Sequence, residues 1–202
     1  MDLLADKLKS PSIRQILLTG SPGVGKTTLV VSVCSVLSTS QISLKGFYTQ
    51  ESRIGSSRIG FDVITVDGKT RGILARKFHG DSAQRKPKVG PYEVELSSFE
   101  SIALPALEMG SPSENKNSIM IIDEIGKMEM FSRQFEKRVR EIFRDERCLV
   151  LATVPSVAKL PLVESLKALD SSFLIEVTRE NRNELGACLT HALKVKLETQ
   201  NK

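Results

Sequence analysis

The stretch that most constrains this chain is GSPGVGKTT, Gly20 to Thr28. An apolar run, RQILLTG, leads into it, and TTLVVSVCSVLSTS leads away. Gly20, four residues, then Gly25-Lys26-Thr27 is the spacing of a phosphate-binding loop, which works between a buried strand and a helix. Its glycines let successive N–H groups turn inward, and the helix that follows adds its positive end. Gly20, Ser21, Pro22, Gly23, Val24 and Gly25 thus make an anion nest. Lys26 is expected on the β- and γ-phosphates, Thr27 on Mg²⁺ and Thr28 at the α-phosphate of a nucleotide.

The remaining pattern says what kind of sheet carries that loop. RQILLTG, SIMIID, CLVLATV and SFLIEV are short apolar runs of the kind buried parallel strands show. Helical stretches separate them, which predicts a doubly wound α/β fold with a mainly parallel sheet. From residue 46 to 96 the character changes. GFYTQE, RIGFDVITVDG, KTRGILARKF and GPYEVEL are strand-like runs punctuated by glycine, with Asp67-Gly68 as a hairpin turn. They predict antiparallel strands added to the main sheet, with HGDSAQRKPK as a mobile loop between them. SFESIALPALEMG reads as a helix interrupted at Pro105, and SPSENKNS as a polar loop. FSRQFEKRVREIFRDER places Phe131, Phe135, Val139 and Ile142 on one helical face. A last helix begins near Thr178 and runs through Leu185, Leu189 and Ala192. The 202 residues are expected to form one domain, residues 1–202.

SIMIIDEIGKMEM, Ser118 to Met130, ends an apolar strand on two adjacent acids. Mg²⁺ takes hard oxygen ligands and keeps several waters. Asp123, at the end of a neighbouring parallel strand, can hold the metal from the side opposite Thr27. Glu124 points off the other face of the strand end, where a hydrolase needs a group to orient and polarise water. A helix-start acid or a structural ion pair would explain Glu124 without chemistry. Further candidates stay open in the same way. Thr153 either senses the γ-phosphate or merely ends its strand. Lys127 is a second cation near the phosphates or an exposed turn lysine. Arg53, Arg58, Arg71 and Arg76 stud the antiparallel section, where one can stabilise the transition state from within the chain. Arg182 stacks on a base, unless Thr178 and Asn181 simply cap a helix there. His79 and His191 lack partners at ligand spacing.

Composition narrows the setting. The net charge of +5 suits an anionic partner, but the basic residues are interspersed with acids, and there are two tyrosines and no tryptophan for stacking bases. A nucleic-acid groove is therefore not favoured. No apolar run reaches membrane-spanning length and the N-terminus has no signal-peptide core. Cys34, Cys148 and Cys188 are odd in number and lack metal or redox spacing, so a reducing compartment, cytosol or nucleus, is expected. A monomer is expected.

With those residues in place, the chain resembles the cancer-related nucleoside-triphosphatase family. GSPGVGKTT, GFYTQESRIGSSRIGFDVIT, DEIGKME and VTRENRN carry the resemblance, supported by KVGPYEVEL and LATVP. They span Gln15 to Leu189 in the family's order. The phosphate loop is shared by many families; the second and third stretches are far more particular. The resemblance implies a P-loop α/β sheet and slow Mg²⁺-dependent hydrolysis of several nucleoside triphosphates to the diphosphate, with little choice of base. It lends weight to Lys26, Thr27, Asp123 and Glu124 and puts Arg58, Lys127 and Arg182 in motif positions. Gln50, Ser52 and Ser56 depart from the family's usual residues. Two rival activities share the loop: a nucleoside or nucleotide kinase, and a nucleotide-gated nucleic-acid-binding module.

Overall fold

The computed structural model describes residues 2–40, 42–78, 80, 86–110, 118–157 and 159–200. Its strands join one sheet. In chain order they are β1 (Gln15–Thr19), β2 (Ser43–Ile54), β3 (Ser57–Thr65), β4 (Arg71–Lys77), β5 (Lys88–Val89), β6 (Tyr92–Val94), β7 (Ser118–Asp123), β8 (Leu149–Thr153) and β9 (Ser172–Glu176). The spatial order is β5-β6-β4-β3-β2-β7-β8-β1-β9. From β2 to β9 the pairings are parallel; from β2 outwards to β5 they are antiparallel. The mainly parallel α/β sheet with added antiparallel strands is thus what the sequence predicts.

The parallel strands are apolar throughout because both sheet faces are covered, and alternation sends successive residues to opposite sides. Leu17, Met120, Ile122, Val150 and Ala152 face one layer, with α3 (Leu96–Ala106), α4 (Arg133–Arg144) and α5 (Pro161–Lys167). Ile16, Leu18, Ile119, Ile121, Leu149 and Leu151 face the other, with α1 (Asp2–Lys9), α2 (Lys26–Ser38) and α6 (Arg182–Gln200). Phe47, Phe99 and Phe135 pack edge to face or tilted in the first layer, centroids 5.3–5.9 Å apart.

Strand β2 joins the two halves of the sheet. Ser43 to Tyr48 pair in parallel with Ser118 to Asp123, while Phe47 to Ile54 pair antiparallel with β3. Gly46 allows the close approach: its φ is 106°, and a Cβ there would lie 1.9 Å from the Ile121 carbonyl oxygen. Beyond Tyr48 the strand leaves β7 behind and overhangs the phosphate loop.

Several boundaries differ from the sequence reading. β8 lies between β1 and β7, so Asp123 does not end a strand adjacent to the loop's own strand. Pro105 sits in the last turn of α3, which stops one residue later, so the helix ends there rather than being interrupted. Phe131 belongs to a 3₁₀ turn, Glu129–Phe131, and is 40% exposed. Helix α4 starts only after Ser132, whose hydroxyl accepts the Phe135 N–H, and it buries Phe135, Val139, Ile142 and Phe143. Helix α6 begins four residues past Thr178, because Thr178 and Asn181 hydrogen-bond each other and form the approach to it. Helices α1 and α5 were too short to leave a periodic signal. His79 and residues 81–85 of the expected mobile loop, and residues 111–117 of the polar loop, lie outside the described residues.

Candidate nucleotide site

Strand β1 delivers the chain to the loop and α2 takes it away. Gly20, Gly23 and Gly25 have φ of 143°, 74° and 107°. At Gly20 the need is steric as well, since a Cβ would stand 2.5 Å from the Val177 carbonyl oxygen. Lys26 folds over the loop and donates from Nζ to the Gly20 carbonyl at 3.0 Å. Arg182, 158 positions away, donates from Nη1 to the Val24 carbonyl at 2.9 Å. The sequence leaves base stacking or a helix-capping segment open at Arg182; the structure ties its guanidinium to the loop's backbone. Arg182→Ala is expected to weaken nucleotide binding about five- to tenfold, the scale of a lost charged hydrogen bond. A brace predicts the same loss for ATP, GTP and inorganic tripolyphosphate in calorimetric titrations; a stacking role would spare tripolyphosphate.

Asp123 is 1% exposed at the end of β7. Burial pushes its carboxyl up, and the Thr153 hydroxyl, the Thr27 hydroxyl, the Thr49 N–H and the Lys26 charge pull it back, in that order. The Thr153 hydroxyl donates to Oδ1 at 2.6 Å. That fixes its direction: Thr153, fully buried on β8, orients Asp123 rather than facing a γ-phosphate. The other oxygen, Oδ2, is buried with no hydrogen-bond partner. Thr27 and Asp123 therefore meet across the intervening strand, with an unsatisfied carboxylate oxygen between the loop and the sheet. Among the described residues no group of three or more His, Cys, Asp or Glu could hold a metal ion. A hydroxyl and one carboxylate oxygen, both hard donors, fit instead an ion that keeps most of its coordination for water and phosphate, as Mg²⁺ does.

Glu124 follows Asp123 through a cis peptide and is half-buried on a cavity wall. Burial raises its carboxyl, the Lys26 charge lowers it, and Asp123 raises it further. The cavity holds about 740 Å³, within the range of small-molecule sites. The loop from Pro22 to Thr28 floors it, and Tyr48, Thr49 and Arg58 from the overhanging strands wall it. A second cavity of about 460 Å³ lies on the other side of Glu124 and Lys26, with Phe61, Leu74, Met128 and Val157 on its walls.

The remaining candidates separate clearly. Arg58 lines the nucleotide cavity, with Nη2 2.5 Å from Glu51 Oε1 and its guanidinium over the Phe61 ring. Arg53 binds the same Glu51 at 2.6 Å. Arg71 and Arg76 instead clamp the buried Asp62 at 2.5 Å each, so they tie β3 to β4. Lys127 is exposed at the rim of the second cavity. His191 is exposed on α6. Cys34 and Cys148 are buried thiols pushed up to about 12 and 11, chiefly by burial, which makes them poor nucleophiles.

Sequence reasoning missed Tyr48, Thr49 and Glu51, because nothing local shows that β2 overruns the sheet. It also missed Glu129, which is 4% exposed beside the second cavity. Burial, and then the neighbouring Glu124 charge, push Glu129 up to about 8. Between pH 4.5 and 8 the folded protein thus holds a proton that the unfolded chain has released, and stability drains as pH rises through that window. Glu129→Gln should remove this dependence. Its melting temperature is expected to gain several degrees on the parent between pH 5 and pH 8, read by scanning calorimetry.

A phosphate loop at the mouth of a mainly parallel α/β sheet, with a buried carboxylate aimed at its threonine, defines a P-loop NTPase-like fold. Solved structures agree. THEP1 from Aquifex aeolicus superposes with TM-score 0.74 at 38% identity, covering 89% of this chain and 99% of that one. A human cancer-related nucleoside triphosphatase in solution superposes with TM-score 0.75 at 41% identity, covering 90% and 97%. The model of the NTPase family matches residues 15–189, and the chain belongs to that family. Among its curated relatives, the Homo sapiens cancer-related nucleoside-triphosphatase is 44% identical over 176 residues, 85% of this chain and 92% of the relative. The Aquifex aeolicus nucleoside-triphosphatase THEP1 is 41% identical over 173 residues, 84% and 93% respectively.

Proposed function

We propose that this protein is a nucleoside-triphosphatase that cleaves the γ-phosphate of ATP, GTP and other nucleoside triphosphates to give the diphosphate and phosphate. The observation that supports this reading is that Lys26, Thr27 and Glu124 line one cavity above the loop while the buried Asp123 feels the Thr27 hydroxyl and the Lys26 charge. The loop N–H groups and Lys26 hold the β- and γ-phosphates. Thr27 and Asp123 hold Mg²⁺, whose charge, when bound, offsets the charge that develops on the phosphates. Glu124 orients a water towards the γ-phosphorus and takes one of its protons. The water oxygen bonds to phosphorus, the bond to the bridging oxygen breaks, and its electron pair leaves with the diphosphate. Breadth of base follows the family resemblance, as does a slow rate.

The test is phosphate release from a panel of nucleoside tri- and diphosphates, with and without Mg²⁺, RNA and small alcohol acceptors. One phosphate released from every triphosphate, lost on chelation and unchanged by RNA, is the expected result. Label transferred to an acceptor instead of water would establish the kinase alternative. Stimulation by RNA that fades steeply with salt would establish the nucleic-acid module. Absence of release from all triphosphates would overturn the reading. The protein is proposed to act as a soluble monomer in the cytosol or nucleus; no helix among the described residues is long and apolar enough to cross a membrane.

A further inference from the structure

We propose that the second cavity seats a second substrate: a small, non-anionic alcohol with a flat apolar body, whose hydroxyl takes the place of the attacking water and receives the γ-phosphate. The inference rests on the proposed hydrolysis, whose loop, Lys26 and Glu124 it shares.

Hydrolysis needs room for one water, roughly 30 Å³. The cavity beyond Lys26 and Glu124 holds about 460 Å³, the size of a small-molecule site. Met128 follows β7, and Pro155 and Val157 follow β8, so it sits at the carboxyl ends of the parallel strands, where open α/β sheets take their ligands. β3, β4 and β5 supply the opposite wall with Phe61, Leu74 and Val89. That wall is fixed in advance. The Tyr92 ring meets Phe61 edge to face with centroids 5.2 Å apart, and Leu74 is 2% exposed. Val157, in contrast, is 86% exposed, an apolar side chain left uncovered on the lining. Walls of this kind favour a ring or another apolar body over a lone water.

The polar groups say which end of that body carries the hydroxyl and what charge it bears. Lys26 and Glu124 line both cavities, so they mark where the two meet. An alcohol lying against Phe61 and Met128 can therefore bring its oxygen to the groups that handle the γ-phosphate. Gly126 leaves the space beside them open. A Cβ there would lie 2.8 Å from Glu129 Oε2 and 3.1 Å from Glu124 Oε1, so both carboxyls face one region. Carboxyl oxygens take hydrogen-bond donors and cations and turn anions away. Among the described residues no arginine lines this cavity, and its lysine besides Lys26 is the exposed Lys127. A phosphorylated acceptor calls for an arginine clamp. A nucleoside monophosphate therefore does not suit the cavity, and a neutral or cationic alcohol does. With that alcohol seated, its oxygen bonds to the γ-phosphorus and its proton passes to Glu124. The bond to the bridging oxygen breaks, and the electron pair leaves with the diphosphate. With water alone in the cavity the same steps give phosphate.

The experiment supplies Mg²⁺, γ-labelled ATP and three alcohols of one body: benzyl alcohol, its para-aminomethyl derivative and its para-carboxyl derivative. Label is counted in phosphate ester and in free phosphate. The neutral and cationic alcohols should form ester alongside phosphate, and the carboxylate about tenfold less of it. Val157→Trp, which fills the cavity from an exposed position, should cut ester formation about tenfold and leave phosphate release without alcohol within about twofold of the parent. Met128→Ala should raise the KM for the alcohol about fivefold with the KM for ATP within about twofold. Ester from none of the three, equal ester from the carboxylate, or ester formation untouched by both variants overturns the inference. Absence of phosphate release when no alcohol is present would instead remove the reading on which it rests, so the two failures are distinct.

Discussion

Glu124→Gln is expected to lower kcat by about a thousandfold while leaving nucleotide affinity within about threefold, an effect in the range seen for a lost general base. Glutamine occupies the same volume at the cavity wall and still offers an oxygen to water. What it lacks is a site for the proton, so the loss falls on the chemical step and spares binding. The environment argues for the same split. Glu124 is half-buried and shares its cavity with Lys26: burial raises its carboxyl and the Lys26 charge works against that rise, so the group is placed to take up a proton. Single-turnover phosphate release, set beside calorimetric binding of a non-hydrolysable triphosphate, separates the two quantities. Unchanged turnover would remove Glu124 from its role.

Lys26→Ala should behave differently, weakening affinity on the order of fiftyfold and lowering kcat as well. The lysine is the loop's own positive charge. With Nζ on the Gly20 carbonyl it closes the nest, and on the proposed reading a bound nucleotide draws it across to the β- and γ-phosphates. Those phosphates carry more charge in the transition state than in the bound substrate, so both binding and turnover depend on it. Removing it also takes away the cation nearest the Asp123 and Glu124 pair, which raises the proton affinity of both. Calorimetry showing unchanged affinity would contradict this assignment.

Much of the site could be read from the chain because its parts are local. The phosphate loop is nine residues in a row, and its spacing between strand and helix specifies backbone geometry directly. Asp123 and Glu124 stand out because acids at the mouth of an apolar strand need a reason. What escaped the sequence was contact between distant segments. Thr153 read equally as a phosphate sensor or as a plain strand-end threonine, because it ends a strand beside the loop. Only the order of strands, with β8 between β1 and β7, shows that its hydroxyl is spent on Asp123. Arg182 read as a base platform or part of a capping segment, and nothing local told that its guanidinium hydrogen-bonds the Val24 carbonyl of the loop. Glu129 gave no signal, since an acid in a turn after a strand is ordinary until a glycine opposite it brings two carboxyls together. In the fold, the long periodic elements were legible and the helices of seven or eight residues were not, because a helix that short shows barely two turns of pattern.

The split pairing of β2 has a consequence for how such a protein can diversify. Gln50 and Ser52 lie on the part of that strand beyond its last partner in β7, and Ser56 lies in the turn that follows. The strand is a cantilever: held at its root by β7 and β3 together, and at its tip by β3 alone, beside the cavity. Substitutions at the tip can reshape what the protein admits or refuses, while the anchored machinery beneath is left as it was.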